Sequence, residues 1–213
     1  MSLNKGGRYD ASGLVEAQFE PGSRNQVLKN LLGIKSKKDM DRVEAIALKQ
    51  TEDALFRAST YGKDHKFSAK DICRIHEIWL GNIYEWAGRY RRVELSKGDF
   101  GFASARYIPD LMQEFEQGPL HQHTPCVFHS RDRVIKALAE VHTELVLIHP
   151  FREGNGRAAR ILATLMALQA NFPTLDFRPI QGERRDEYIA AIHAGLDKNY
   201  GPMEEVFSRI LQR

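Results

Sequence analysis

The chain lacks most of what would mark a disulfide-built, membrane-spanning or metal-centred protein. Its only two cysteines, Cys73 and Cys126, lie far apart without metal-ligand spacing, so neither a disulfide framework nor a zinc site is expected. Cys73 falls inside a helical pattern and reads as a buried free thiol. A surplus of one charge is also missing: 31 Lys and Arg face 28 Asp and Glu, a net charge of +3. That is too little to demand a nucleic-acid partner. No apolar run is long enough to cross a bilayer, and the first residues carry no apolar signal core. The expected compartment is therefore a reducing cytoplasm, with no membrane. A type-III or type-IV secreted effector would lack such a signal too, so export stays open. The histidines make no metal set, because His121 and His123 fall in an expected loop between Pro119 and Pro125 and no helical His-x-x-x-His occurs. Internal repeats and low-complexity stretches are absent.

What is there suits one globular unit. Hydrophobic residues make up 42% and charged ones 28%, enough for a single sizeable core. Residues 1–27 are rich in Gly, Ser, Asn and charge and read as an extended arm laid on a domain covering 28–213. Val43, Ile46, Ala47, Ala54 and Leu55 mark an amphipathic helix over about 37–59. Ser68 and Asp71 form a capping box ahead of Ile72, Ile75, Ile78 and Leu80. Residues 91–102 change to an alternating pattern with a Lys97-Gly98-Asp99 turn, which predicts a β-hairpin. Helical spacing returns at Ile108, Leu111, Met112 and Phe115. Ser130 is placed to cap a long helix through Val134, Leu138, Val141, Leu145 and Ile148. A further helix runs to about Asn171, and two more cover 186–196 and 202–211. Trp79 and Trp86 read as core aromatics at a helix end. The architecture is all-α with a single hairpin.

Between two buried helices stands His149-Pro-Phe-Arg-Glu-Gly-Asn-Gly-Arg-Ala-Ala-Arg160. Gly154-Asn155-Gly156 tolerates positive φ and lets backbone N–H groups approach a ligand. Such a turn opening a helix is a ready anion site. Arg157 and Arg160 project from the first turn of that helix, where they can clamp phosphate oxygens. Glu153 beside phosphates needs a cation between, so it reads as a Mg²⁺ ligand. His149 is the one group here able to take a proton near neutral pH. Phe151 reads as an apolar anchor for the loop, and Arg152 as a solvated side chain. The composite is a nucleotide-phosphate site with its own base.

These residues resemble the signature of the Fic family, His-x-Phe-x-Asp/Glu-Gly-Asn-Gly-Arg-x-x-Arg, at all eight specified positions. Ile83-Tyr84-Glu85-Trp86-Ala87-Gly88-Arg89 is similar to an upstream block of that family, and Leu95 to Phe102 to its flap hairpin, so the likeness extends over roughly 28–211. The resemblance implies a protein adenylyltransferase: AMP passes from ATP to a Tyr, Ser or Thr hydroxyl of a target protein and pyrophosphate leaves. It gives His149 the base role and Glu153 the metal. Gly154, Asn155 (amide included) and Gly156 hold the α- and β-phosphates, Arg157 the leaving pyrophosphate, and Arg160 the γ-phosphate. Tyr188 corresponds to a position near the adenine. Where some relatives offer an asparagine to the base, this chain has His193-Ala194-Gly195. Val93, Glu94, Leu95, Ser96, Lys97 and Gly98 correspond to the flap edge on which a target segment docks.

Two other functions compete. A Doc-type kinase would bind ATP reversed, but such motifs carry Ala and Lys where this chain has Gly154 and Gly156. A silent interaction module would not need the complete motif. For regulation, the family's inhibitory helix bears Ser/Thr-x-x-x-Glu-Gly/Asn. Ser12 and Glu16 match it in part, with Ala17 at the last position. Residues 27–34 are similar to the start of relatives silenced by a separate small antitoxin, so the expected inhibitor is a partner protein in trans, as in a toxin–antitoxin pair.

Overall fold

The computed structural model describes residues 13–57 and 61–211. Helix α1 spans Lys37–Arg57 and α2 spans Ala69–Leu80. The hairpin pairs β1, Ser96–Lys97, with β2, Phe100–Gly101, in the register Ser96 to Gly101 and Lys97 to Phe100. Helix α3, Ile108–Phe115, runs through a π-turn at Glu116–Leu120 into the single turn α4, His121–His123. Then come α5, Arg131–Ile148, and α6, Asn155–Gln169. The short α7, Arg178–Gln181, precedes α8, Arg185–Ala194, and α9, Gly201–Ile210. This is the all-α architecture with one hairpin that the sequence leads one to expect.

The expected capping box is present. Ser68 Oγ accepts from the Asp71 N–H, and the Asp71 carboxylate accepts from the Ser68 N–H at 2.8 Å. Ser130 holds the N-cap position of α5 but makes no side-chain capping bond. His121 and His123 are helical rather than in a loop, because the π-turn accommodates Pro119 within a continuous helical path. His123 is buried and pairs with Glu140 at 2.8 Å.

Helix α5 is the axis of the fold. It packs on α6, α9, α3 and α8, while α1 packs on α2 and α6. Its buried residues include Val134, Leu138, Val141, Leu145 and Ile148, the stripe its spacing predicts. Hiding such a stripe from water stabilises by roughly 25 cal/mol per Å² of apolar surface, and here it fixes where the residues after Ile148 emerge. A second cluster gathers Val27, Met40, Trp79, Leu80, Ile83, Tyr84 and Trp86. Val27 therefore belongs to a core, and the preceding segment is tied down by a bridge between Phe19 and Leu28. Among the described residues no helix is long and apolar enough to cross a membrane.

Candidate active site

Helix α5 stops at His149, which takes the left-handed conformation at φ 55°, and α6 begins after Gly154 at φ 83°. The loop between them is held from inside. Phe151 is fully buried and stacks on His76 of α2, centroids 3.9 Å apart. The Asn155 side chain is buried and spans the Phe151 residue, its Oδ1 accepting from the Phe151 N–H and its Nδ2 donating to the Phe151 carbonyl, both at 2.8 Å. The Asn155 amide, expected among the phosphate contacts, is thus spent on the loop. Its backbone N–H remains: neither the Asn155 nor the Gly156 N–H finds an acceptor among the described residues. Two free N–H groups at a helix start form an anion cradle.

His76 supports this cradle, and sequence reasoning missed it. Its Nδ1 accepts from the Gly88 N–H at 2.9 Å, so the proton sits on Nε2, which donates to the Glu153 carbonyl at 3.0 Å. Burial holds His76 neutral, lowering its pKa to about 4.

His149 is set up as a base. Its Nδ1 lies 3.0 Å from the Val146 carbonyl. A carbonyl only accepts, so Nδ1 carries the proton and Nε2 keeps its lone pair. Phe102 of the hairpin stacks on the ring, and burial lowers the pKa to about 4. Arg91 and Lys97 add to that lowering, while the Val146 carbonyl and Glu153 oppose it.

The two arginines differ in company. Arg157 is paired within the protein: Nη1 donates to the buried carboxylate of Glu44 at 2.8 Å, Nη2 reaches Glu153 at 3.3 Å, and the guanidinium lies over Trp79. Tyr84 also donates to Glu44, at 2.7 Å, and the Trp79 Nε1–H donates to the Glu44 backbone carbonyl at 3.0 Å. Glu44 was legible in principle, as the lone acid on the stripe of Met40, Thr51 and Leu55 that α1 buries. The Arg160 guanidinium makes no hydrogen bond or ion pair among the described residues, although the backbone carbonyl accepts from Thr164 Oγ1 at 2.9 Å. Burial lowers its pKa, with Tyr188 and Glu52 favouring the charge and Arg157 opposing it.

Other expectations need correction. Arg152 is not solvated: it is half-buried and its Nε donates to the Glu16 carbonyl at 2.8 Å. Tyr188 points its hydroxyl inward to His142 Nε2 at 2.8 Å, and burial pushes its pKa to about 12. That bond engages the hydroxyl alone. Within the hairpin, Val93 is buried and Glu94 is bound to Ser104 Oγ and the Ala105 N–H. Of the expected docking stretch, Ser96, Lys97 and Gly98 are exposed and Leu95 is half-buried. Phe100 stacks on His193 of α8 with centroids 4.7 Å apart. Glu16 is buried and its carboxylate accepts from the Arg92 N–H at 2.8 Å, away from Arg160. Ser12 lies outside the described residues.

The Fic/DOC family model matches residues 66–167, which contain the whole loop. The chain belongs to this family. It is 31% identical over 81% of its length to protein adenylyltransferase fic-1 of Caenorhabditis elegans, and 32% identical over 68% to protein adenylyltransferase VbhT of Bartonella schoenbuchensis. It spans only 32% and 30% of those two proteins. Among solved structures, the N-terminal Fic domain of a VirB-translocated Bep effector from Bartonella quintana, with ADP bound, is 27% identical. It superposes with a TM-score of 0.72, covering 91% of this chain and 94% of that one.

Proposed function

We propose that this Fic-family chain is a protein adenylyltransferase that moves AMP from ATP to a hydroxyl side chain of a target protein. The observation that carries the reading is the convergence of a neutral, tautomerically fixed His149 with the free N–H groups of Asn155 and Gly156 and the unpaired Arg160. The target oxygen attacks the α-phosphorus, its proton passes to His149 Nε2, and the bond to the β-phosphate oxygen breaks. The cradle holds the phosphates. Arg157 meets the departing pyrophosphate, and Arg160 sets which phosphorus lines up by gripping the γ-phosphate. The nucleotide-bound Fic relative and the names of the curated relatives support the same reading.

Mg²⁺ fits the donor set. Glu153 is a single half-exposed carboxylate beside the cradle, with one oxygen engaged by the Gly154 N–H at 2.9 Å. Mg²⁺ is commonly bound by one or two carboxylates together with substrate phosphates. Bound there, it would neutralise charge between the phosphates and Glu153.

A Doc-type phosphotransfer is disfavoured by the residues of the turn, where Gly154 and Gly156 stand in place of the Ala and Lys of that variant. Silencing in trans by an antitoxin is supported by Arg160, which no carboxylate of the described chain occupies. Incubation with α-labelled and γ-labelled ATP, with the chain itself and a cell lysate as acceptors, tests the proposal. Label passing to protein from the α position alone is expected. Transfer from γ alone, or from neither, sinks it.

A further inference from the structure

Arg91 stands just ahead of the hairpin and is 1% exposed. Its backbone N–H donates to the Pro150 carbonyl at 2.8 Å. Its side chain donates three more times: Nε to the His149 carbonyl at 2.7 Å, Nη1 to the Val93 carbonyl at 2.8 Å, and Nη2 to the Ala103 carbonyl at 2.6 Å. None of the four bonds reaches a carboxylate, although buried guanidinium groups are normally paired with one. Glu94 and Glu16 favour its charge only from a distance, against a larger opposing effect of burial.

The three side-chain acceptors belong to three different pieces of chain. One is the left-handed histidine that ends α5. The second is the leg of the hairpin before β1, and the third is the leg after β2. A guanidinium is a rigid planar fork, so the spacing of its donors transmits a shift of one acceptor to the others. A plain structural strut would need no bond to His149. Fold stability alone would also be served by an apolar residue of similar volume.

We infer that Arg91 is a positioning residue that sets the His149 imidazole and both legs of the hairpin in one register. Seating a target segment on the hairpin and aiming Nε2 at its hydroxyl then become a single event. The inference rests on the adenylyl-transfer reading above. It adds a residue outside the 149–160 loop on which the geometry of that reaction depends.

The test compares wild type with Arg91→Lys, which keeps the charge and loses the fork, Arg91→Gln, which keeps part of the donor set, and Arg91→Ala with and without added guanidinium ion. The acceptor is the same lysate or the chain itself, the donor is α-labelled ATP, and folding is followed by thermal melting. For Arg91→Lys, kcat should fall about 10- to 100-fold, as misplacement by about 1 Å can do, while the KM for ATP and ATP binding stay within about twofold. Guanidinium ion should recover part of the activity of Arg91→Ala. Wild-type kcat in Arg91→Lys would overturn the inference. So would a loss of transfer that tracks loss of ATP binding or of folded protein, and so would failure of all three variants to fold. If wild type itself transfers no α-label, the functional reading fails first, and the inference falls with it.

Discussion

The imidazole of His149 lies flat against the ring of Phe102, with centroids 3.6 Å apart and planes 17° apart. This imidazole, the proposed base, is thus dried by a side chain of the hairpin. Its pKa of about 4 has burial as the largest cause, and Arg91 and Lys97 push the same way against Glu153 and the Val146 carbonyl. The active form is neutral, so kcat/KM should hold as pH falls below 6.5 and decline only near pH 4. Phe102→Ala should move that decline upward, toward the ordinary histidine value. A wild-type profile already breaking at 6.5 contradicts the geometry. His149→Ala should lower transfer about 10²–10⁴-fold while ATP still binds.

Three histidines link stability to pH. His76 and His149 have pKa values lowered by burial to about 4, and His142 to about 3. The unfolded chain therefore takes up these protons first, near 6.5, as pH falls. Their contribution is complete above about 6.5 and is lost progressively toward 4 and 3. The denaturant midpoint should fall between pH 7 and pH 5, each histidine adding up to about 1.4 kcal/mol per pH unit. His76→Gln should flatten the dependence. A midpoint that does not move over this interval would rule the effect out.

The two loop glycines should fail in different ways. A Cβ at Gly154 meets the Trp79 ring at 2.6 Å and requires an unfavourable positive φ, whereas one at Gly156 meets nothing within 4 Å. Gly154→Ala should lower the melting temperature markedly. Gly156→Lys should melt like wild type yet lose α-label transfer, since its stem enters the open cradle. Equal melting of the two variants would contradict the packing described for Gly154.

Glu44→Gln probes the ion pair behind Arg157. Breaking a buried pair costs roughly 3–5 kcal/mol, and the partly exposed Arg157 puts this one at or below the lower end. Denaturant unfolding should show that loss. Transfer should slow as Arg157 loses its orientation, and the effect on kcat should vanish in an Arg157→Ala background. Additive effects of the two substitutions would argue against coupling.

Glu16→Gly should not unleash self-modification. Its carboxylate holds the Arg92 N–H, a bond that glycine cannot make, so a modest drop in stability is expected instead. A sharp rise in self-labelling over wild type, measured on matched preparations, would make the segment an inhibitor acting in cis.

The helices were legible because their apolar spacing is strong, as along α5, and the Ser68 cap because its chemistry is local. The loop was legible because eight specified residues occur in a dozen. What escaped the sequence is mostly long-range. His76, Arg91 and Trp79 reach the loop from other elements, and nothing local tells His76 apart from an ordinary core histidine. Arg152 departs from the solvated place expected of it for the same reason: its partner, Glu16, is distant in the chain. The Asn155 side-chain amide reads as a phosphate contact because polarity shows in a sequence and side-chain direction does not.

The carboxylate beneath Arg157 also bears on how a turnover ends. A guanidinium whose only counter-charge was the leaving group would hold that product tightly. Glu44 and Arg157 already satisfy one another, with Tyr84 completing the carboxylate. On the adenylyl-transfer reading, pyrophosphate would compete with a resident anion for this arginine, and the charge it leaves on departing would be neutralised from within the protein. Arg157 would then be a grip that lets go.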